Sequence, residues 1–340
     1  MTAHIDSFAD ISSLLERLRD VHRGSYAPRE ATASAITMNF VVFTDDRIHR
    51  EWVHERALTL AGKHPSRLIV LDASGNHPGA DLFTSAGQTE SGSVPQERIE
   101  LAVGDVNGPV VRSLVQGLCV SNAPTVLWWA GKRLAGDARF EELVGLAQTV
   151  IVDSSGIASD ARCVRELSRV HRHDARLRIF DLAYLRLAPW QEMIAQFFDE
   201  PALSAELPKL ERLEIDSGSD AEATYLAAWL AARLGWVVKP DASFTSSAGR
   251  TVRFLKHELG DQRRMLRIAL ATACSTYTAA ISADDPFVVA LSVSGRCERP
   301  TWLVPLRRVD TVSLLERAIL ASGNDPCFGA TLEMAEQLAR

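Results

Sequence analysis

The sequence lacks the pairs, runs and excesses that would place it in a specialised class. Its five cysteines, Cys119, Cys163, Cys274, Cys297 and Cys327, are odd in number and scattered, with no Cys-x-x-Cys pair. That pattern fits reduced thiols and excludes a disulfide framework. No apolar run approaches the ~18 residues that span a bilayer, and no basic stretch leads into an unbroken apolar core at the N-terminus. A cytoplasmic protein without membrane contact is expected. There is no basic excess either: a net charge of −6 and a pI near 5.9 argue against nucleic acid and anionic membranes as partners. No Gly-x-Gly-x-x-Gly follows a strand pattern, and residues 104–108 lack the Lys and Ser/Thr of a phosphate-gripping loop, so no nucleotide cofactor is expected. His171 and His173 have no Cys or second His pair nearby to complete a tetrahedral site. Leu58 stands where a His54-Glu55 zinc motif needs its second His. No metal is expected, and no catalytic constellation is complete.

What is present reads as two domains, because 340 residues exceed the ~250–300 at which one hydrophobic core stops growing. Residues 7–21 place apolar side chains on one face and predict an amphipathic first helix, assigned to an N-terminal segment 1–36. Over 37–185, near-continuous apolar strands at 37–44, 67–72, 98–103, 125–129 and 149–153 alternate with helical patterns at 47–62, 109–119 and 138–147. This predicts an α/β domain with a mostly parallel sheet and helices on both faces. The Gly/Ser/Pro/Thr-rich stretch 74–96 breaks that rhythm and predicts a mobile insertion. A linking helix is expected over 186–205, entered at Pro189. Residues 206–340 then give a strand at 210–215 and a helix at 219–234 stopped by Gly235. A period of two follows from 252 onwards, with a turn at Gly260-Asp261 and a return at 265–271, then further strands at 276–281, 287–293 and 301–304 and a closing helix at 311–321. This is an α+β domain with a largely antiparallel sheet.

Three constellations could carry function. Arg162, Arg165, Arg169 and Arg172 recur at spacings of three, four and three, which lines them along one side of a helix whose other side carries Cys163, Val164, Leu167 and Val170. Such a ridge is either a solvated face, partly neutralised by Glu166 and Asp174, or a docking face for an acidic partner surface. Arg250, Arg253, Arg263, Arg264 and Arg267 form a second basic cluster on the expected hairpin. In the stretch Asp181 to Trp190, Trp190, Ile194 and Phe197/Phe198 recur at helical spacing, so the helix is either a core joint or, with Asp181, Arg186 and Trp190, a preset partner surface. Finally, Ile69 to Gly75 and Ile151 to Gly156 both end a strand in Asp, Ser and Gly. That chemistry suits either helix capping or, as the alternative function, a phosphosugar enzyme or sensor.

The Asp181-Leu182, Tyr184, Arg186-Leu187, Pro189-Trp190 signature resembles that of the glucose-6-phosphate dehydrogenase assembly protein family, OpcA. Four other fragments agree in order: His64-Pro65-Ser66-Arg67; Val126-Leu127-Trp128-Trp129 with Gly131; Val150-Ile151-Val152-Asp153-Ser154; and Trp229-Leu230 leading to Leu234-Gly235-Trp236. The resemblance covers about residues 37 to 240. Tyr184 stands where the family has Trp, and Ser121-Asn122-Ala123-Pro124 replaces a more acidic and hydrophobic lead into the Trp pair. The resemblance implies a non-enzymatic assembly factor or allosteric activator in the oxidative pentose phosphate pathway, with glucose-6-phosphate dehydrogenase as its partner.

Overall fold

The structure is a computed structural model and describes residues 2–5, 36–75, 79–89, 92–157, 160–174, 176–259 and 265–339. The helix expected over 7–21, the Gly260-Asp261 turn and Arg263 and Arg264 lie outside the described residues. The chain divides into two compact units. The first comprises Met1–Ala158, Asp174–Phe180 and Thr311–Ser322; the second comprises Ser159–His173, Asp181–Asp310 and Gly323–Arg340. The chain passes between them several times, so no single cut near residue 185 or 205 separates them.

The first unit is built on β1 (Thr2–Ile5), β2 (Met38–Thr44), β3 (Ser66–Asp72), β4 (Gly79–Thr89), β5 (Gly92–Ala102), β6 (Thr125–Trp129), β7 (Thr149–Val152) and β8 (Arg178–Asp181). Their order in the sheet is β1-β4-β5-β3-β2-β6-β7-β8. The pairs β5–β3, β3–β2, β2–β6 and β6–β7 are parallel, as the apolar strand runs predict. Every residue of β2 and of β6 is buried, as strands covered on both faces require. Trp128 and Trp129 are core. Trp129 stacks on Phe43 with ring centroids 3.9 Å apart and donates Nε1–H to the Arg133 carbonyl at 2.9 Å, while Trp128 meets the edge of Trp52. Gly131 follows because a Cβ there would stand 3.0 Å from the Phe43 ring. Taken from β2 outward, the strand order β5-β3-β2-β6-β7-β8 is that of the doubly wound dinucleotide-binding fold, with its reversal between β2 and β6.

The stretch 74–96 corrects an expectation. Its described residues do not form a structureless insertion: β4 and β5 pair antiparallel from Gly79↔Ala102 to Thr89↔Gly92, and β1 adds to β4. Small polar residues resemble loop composition, but an edge ladder is held by backbone hydrogen bonds that composition does not report.

The second unit is built on β9 (Arg212–Ser217), β10 (Val237–Val238), β11 (Phe244–Thr245), β12 (Thr251–Glu258), β13 (Met265–Ala271), β14 (Ser275–Ile281), β15 (Val288–Gly295) and β16 (Arg299–Pro305). The order is β10-β11-β12-β9-β13-β14-β15-β16, antiparallel except between β12 and β9. The expected hairpin of 252–257 with 265–271 is therefore corrected: β9 stands between the two strands, parallel to β12 and antiparallel to β13. A turn signal says that the chain reverses, not that the flanking strands pair; here the alternating β9, with Leu213 and Ile215 buried, takes the central place. The helix Asp220–Leu234 packs on β9 and β12 and on the helices Asp160–His173 and Pro326–Leu338. Surrounded in this way, it buries every residue from Ala221 to Ala228. Ser219 caps its start and Gly235, at φ 64°, ends it as the sequence predicts.

Candidate functional site

The helix Asp160–His173 turns Cys163, Val164, Leu167 and Val170 inward and leaves Arg162, Arg165, Arg169 and Arg172 exposed, as the spacing predicts. Glu166 accepts from Arg169 Nε at 3.0 Å. Arg172 donates to Ser168 Oγ at 2.9 Å and pairs with Glu336 of the helix Pro326–Leu338, which holds the guanidinium pKa above its ordinary value. Ser168, fully buried, also donates to Glu336 at 2.7 Å. Glu166 was legible as a neutralising partner; Glu336 was not. Asp174 turns to the backbone N–H of Arg176 instead.

Asp181, Arg186 and Trp190 do not form an open surface, which corrects that reading. Asp181 is fully buried: Oδ1 accepts from the Ala183 N–H at 2.9 Å and Oδ2 from the Tyr225 hydroxyl at 2.8 Å. Arg186 donates Nε–H to the buried Glu222 at 2.8 Å. Trp190 is 4% exposed and sits on the buried side of its helix with Met193 and Ile194. Tyr184 packs against Tyr225 and Phe328. Burial, reinforced by Asp325, pushes its hydroxyl up to about 12. The signature is interior, and its buried polar groups are kept by pairing them.

In the first unit the strand ends Asp72 and Asp153 do not converge. Asp153 accepts from the Ser155 N–H and hydroxyl, and caps a short 3₁₀ turn. Asp72 accepts from the Ser74 N–H at 2.8 Å and pairs with Arg50 at 2.7 Å. Three strand spacings of ~4.8 Å separate β3 from β7, or ~14 Å, too far for one small ligand site. The phosphosugar reading of these ends is therefore set aside.

The topological reversal between β2 and β6 is where a doubly wound fold holds a dinucleotide, on a glycine-rich turn after the first strand. Here that turn reads Thr44-Asp45-Asp46-Arg47-Ile48-His49. Asp46 Oδ1 accepts from the Ile48 N–H at 3.0 Å and Oδ2 meets His49 Nδ1 at 2.6 Å; Lys132 Nζ lies 3.1 Å away. Asp45 accepts from the Lys132 N–H at 2.7 Å. A carboxylate of the protein thus takes the place of an anion, and Arg50 occupies the Asp72 carboxylate at the end of the second strand, where a ribose would be held. These residues do not fit a pyrophosphate: they add two negative charges where it needs N–H groups and close backbone approach. Burial pushes the Asp46 pKa up, but His49, the Ile48 N–H and Lys132 outweigh it and hold it at about 2, against an ordinary 3.8. A depressed folded-state pKa contributes stability above pH 3.8 that is lost as pH falls towards 2. Asp46→Asn should therefore lower stability at pH 5 and converge with the unsubstituted protein near pH 2 in urea unfolding; a constant gap across that window would refute the linkage.

Among the described residues no helix is long and apolar enough to cross a membrane, and no three His, Cys, Asp or Glu side chains gather into a metal-ligand set.

Comparison with known proteins adds the decisive observation. Two domain families of the glucose-6-phosphate dehydrogenase subunit match in sequence order, its N-terminal domain family over residues 57–169 and its C-terminal domain family over residues 177–332. The chain belongs to the OpcA family. The OxPP cycle protein OpcA of Nostoc punctiforme is 30% identical over 188 residues, covering 52% of this chain and 39% of that protein. OpcA of Synechocystis sp. is 31% identical over 187 residues, covering 52% and 39%. The chain thus spans about two fifths of the length of these relatives. Among solved structures, the 3-ketoreductase KijD10 of Actinomadura kijaniata with NADP and TDP-benzene aligns with a TM-score of 0.51 at 10% identity, covering 88% of this chain and 95% of that one. Levoglucosan dehydrogenase aligns at 0.50 and 8%, covering 88% and 94%. At such identities these structures share the fold alone. The OpcA fragments read from the sequence hold structural places: His64 meets Glu316 at 3.1 Å, Arg67 pairs with Glu97 at 2.6 Å, and Trp236 packs on Phe244.

Proposed function

We propose that this OpcA-family chain is a non-enzymatic regulator that binds glucose-6-phosphate dehydrogenase in the cytoplasm and favours its assembled, active oligomer, in the oxidative pentose phosphate pathway. The observation that carries this reading is the match of the two dehydrogenase-associated domain families, one after the other, over most of the chain. The rewritten turn after β2 supports the non-enzymatic part, since the fold's place for a hydride-carrying dinucleotide is filled by Asp46 and its partners. A regulator of this kind works by differential affinity: it binds the active assembly better than the inactive one and shifts the equilibrium by that difference.

The exposed arginines Arg162, Arg165, Arg169 and Arg172 supply the docking face, steering the chain towards an acidic surface of the dehydrogenase. Charges on such a face act over the Debye length, about 10 Å at 0.1 M salt. Steady-state kinetics of the cognate dehydrogenase with saturating protein should show a lowered apparent KM for the sugar phosphate. The protein concentration needed for half the effect should rise about tenfold or more with Arg165→Glu/Arg169→Glu, and rise with salt. Unchanged dehydrogenase kinetics at saturation would overturn the regulatory reading; an effect indifferent to salt and to the arginines would overturn the docking face.

A further inference from the structure

On the outward side of the second sheet one register row crosses five strands. Arg253 of β12 lies beside Arg212 of β9, Arg212 beside Ala271 of β13, Ala271 beside Thr276 of β14, and Thr276 beside Ser294 of β15. Strand alternation fixes the face: Leu213 and Tyr277 point into the core, so Arg212 and Thr276, one residue away along their strands, point out. Ala271 has only a methyl group in the middle of the row. The surface therefore dips there, between two long guanidinium side chains on one flank and two hydroxyls on the other. A cavity of about 420 Å³ opens over this dip.

The charges in the cavity do not balance. Arg212 gives Nε–H to Glu214 at 2.9 Å. Glu211 on the rim is taken by Arg250 at 2.9 Å, outside the cavity. Arg253 is exposed, and its side chain has no hydrogen-bond or ion-pair partner among the described residues; the same holds for the Thr276 and Ser294 hydroxyls. Like charges side by side on neighbouring strands destabilise a sheet unless something lies between them. Two adjacent guanidinium forks match the oxygens of one phosphate, with several donors in fixed planes.

We propose that this cavity binds a phosphate monoester of a small polyhydroxy compound, with Arg212 and Arg253 on the phosphate and Thr276 and Ser294 on the hydroxyl groups. The volume is at the lower end of small-ligand sites and suits a hexose phosphate. Two cations suffice for one phosphate but not for a polyanion backbone. No aromatic side chain lines the cavity to stack a base. The site shares no residue with the arginine helix or with the turn after β2, and it gives the chain a means of sensing a metabolite directly.

The test needs no dehydrogenase, so its outcome is independent of the regulatory reading. The intact 340-residue chain is titrated at low ionic strength with a hexose 6-phosphate, with inorganic phosphate and with the free hexose, by calorimetry. Saturable binding is expected for the hexose phosphate, weaker binding for inorganic phosphate, and none measurable for the free sugar. Arg253→Ala removes an exposed side chain without structural partners among the described residues. It should leave the fold intact by circular dichroism and weaken the hexose phosphate by about tenfold or more. Thr276→Val should weaken the hexose phosphate and leave inorganic phosphate unchanged. No saturable binding of either anion, or equal affinity in the Arg253→Ala protein, would overturn the site; equal affinity for inorganic phosphate and hexose phosphate would overturn the hydroxyl contacts.

Discussion

Trp190→Ala should lower the stability of the protein by about 3–5 kcal/mol, the range for truncating a large aromatic in a packed interior. Trp190 is 4% exposed and is followed by Met193, Ile194 and Phe197, all buried, so the deletion leaves a cavity that rigid neighbours fill only in part. A downward shift of the urea midpoint is the readout. The contrast with Arg165→Glu/Arg169→Glu is what matters for function. Breaking the exposed Glu166–Arg169 pair and setting like charges three residues apart costs about a few tenths of a kcal/mol for each effect, so that variant should unfold at a midpoint much nearer that of the unsubstituted protein. On the proposed function, loss of the effect on the dehydrogenase in Trp190→Ala would report a damaged fold, and its loss in the arginine variant a lost contact. A Trp190→Ala protein of unchanged stability would mean that the ring is not part of the core.

Arg186→Ala is expected to destabilise by about 3–5 kcal/mol, because it withdraws a charged partner from a carboxylate held in the interior. Glu222 is 3% exposed, and the Arg186 Nε–H reaches it at 2.8 Å. Its position in the first turn of the helix Asp220–Leu234 recovers only a part, about 0.3–1 kcal/mol, through the helix dipole. The double variant Arg186→Ala/Glu222→Gln should therefore be more stable than Arg186→Ala alone, since an amide is easier to leave buried than a carboxylate. A double-mutant cycle measures that coupling, and simple additivity of the two changes would show that the pair does not act as a unit.

These residues show what sequence can and cannot tell. The arginine ridge was legible because its evidence is local: spacings of three and four fix a helix face whatever surrounds it. The strand runs of the first unit were legible for the same reason, and so was the Gly235 stop. The order of those strands was not, because it depends on which strands pair; the parallel character came from apolar runs, but the reversal between β2 and β6 came only from the fold. β9 entered between β12 and β13 because a central place goes to the strand with the better-buried alternating face, a comparison between residues about 40 or more apart in the chain. Asp181, Arg186 and Trp190 looked like a surface because Asp and Arg are surface types by default. Their partners, Tyr225 and Glu222, lie 44 and 36 residues further along the chain, and only folding brings them together. The register row of Arg253, Arg212, Ala271, Thr276 and Ser294 was invisible for the same reason, although each residue is plain in the sequence.

The carboxylate of Asp46 is in effect a ligand tied to its own receptor. A tethered group a few bonds from its site is present at a local concentration in the millimolar range or above, which free metabolites must outcompete. The turn after β2 is therefore shaped by groups of the chain itself, Asp46 with His49, Lys132 and the Ile48 N–H. An anion entering this turn would first have to displace a carboxylate that covalent attachment never lets diffuse away.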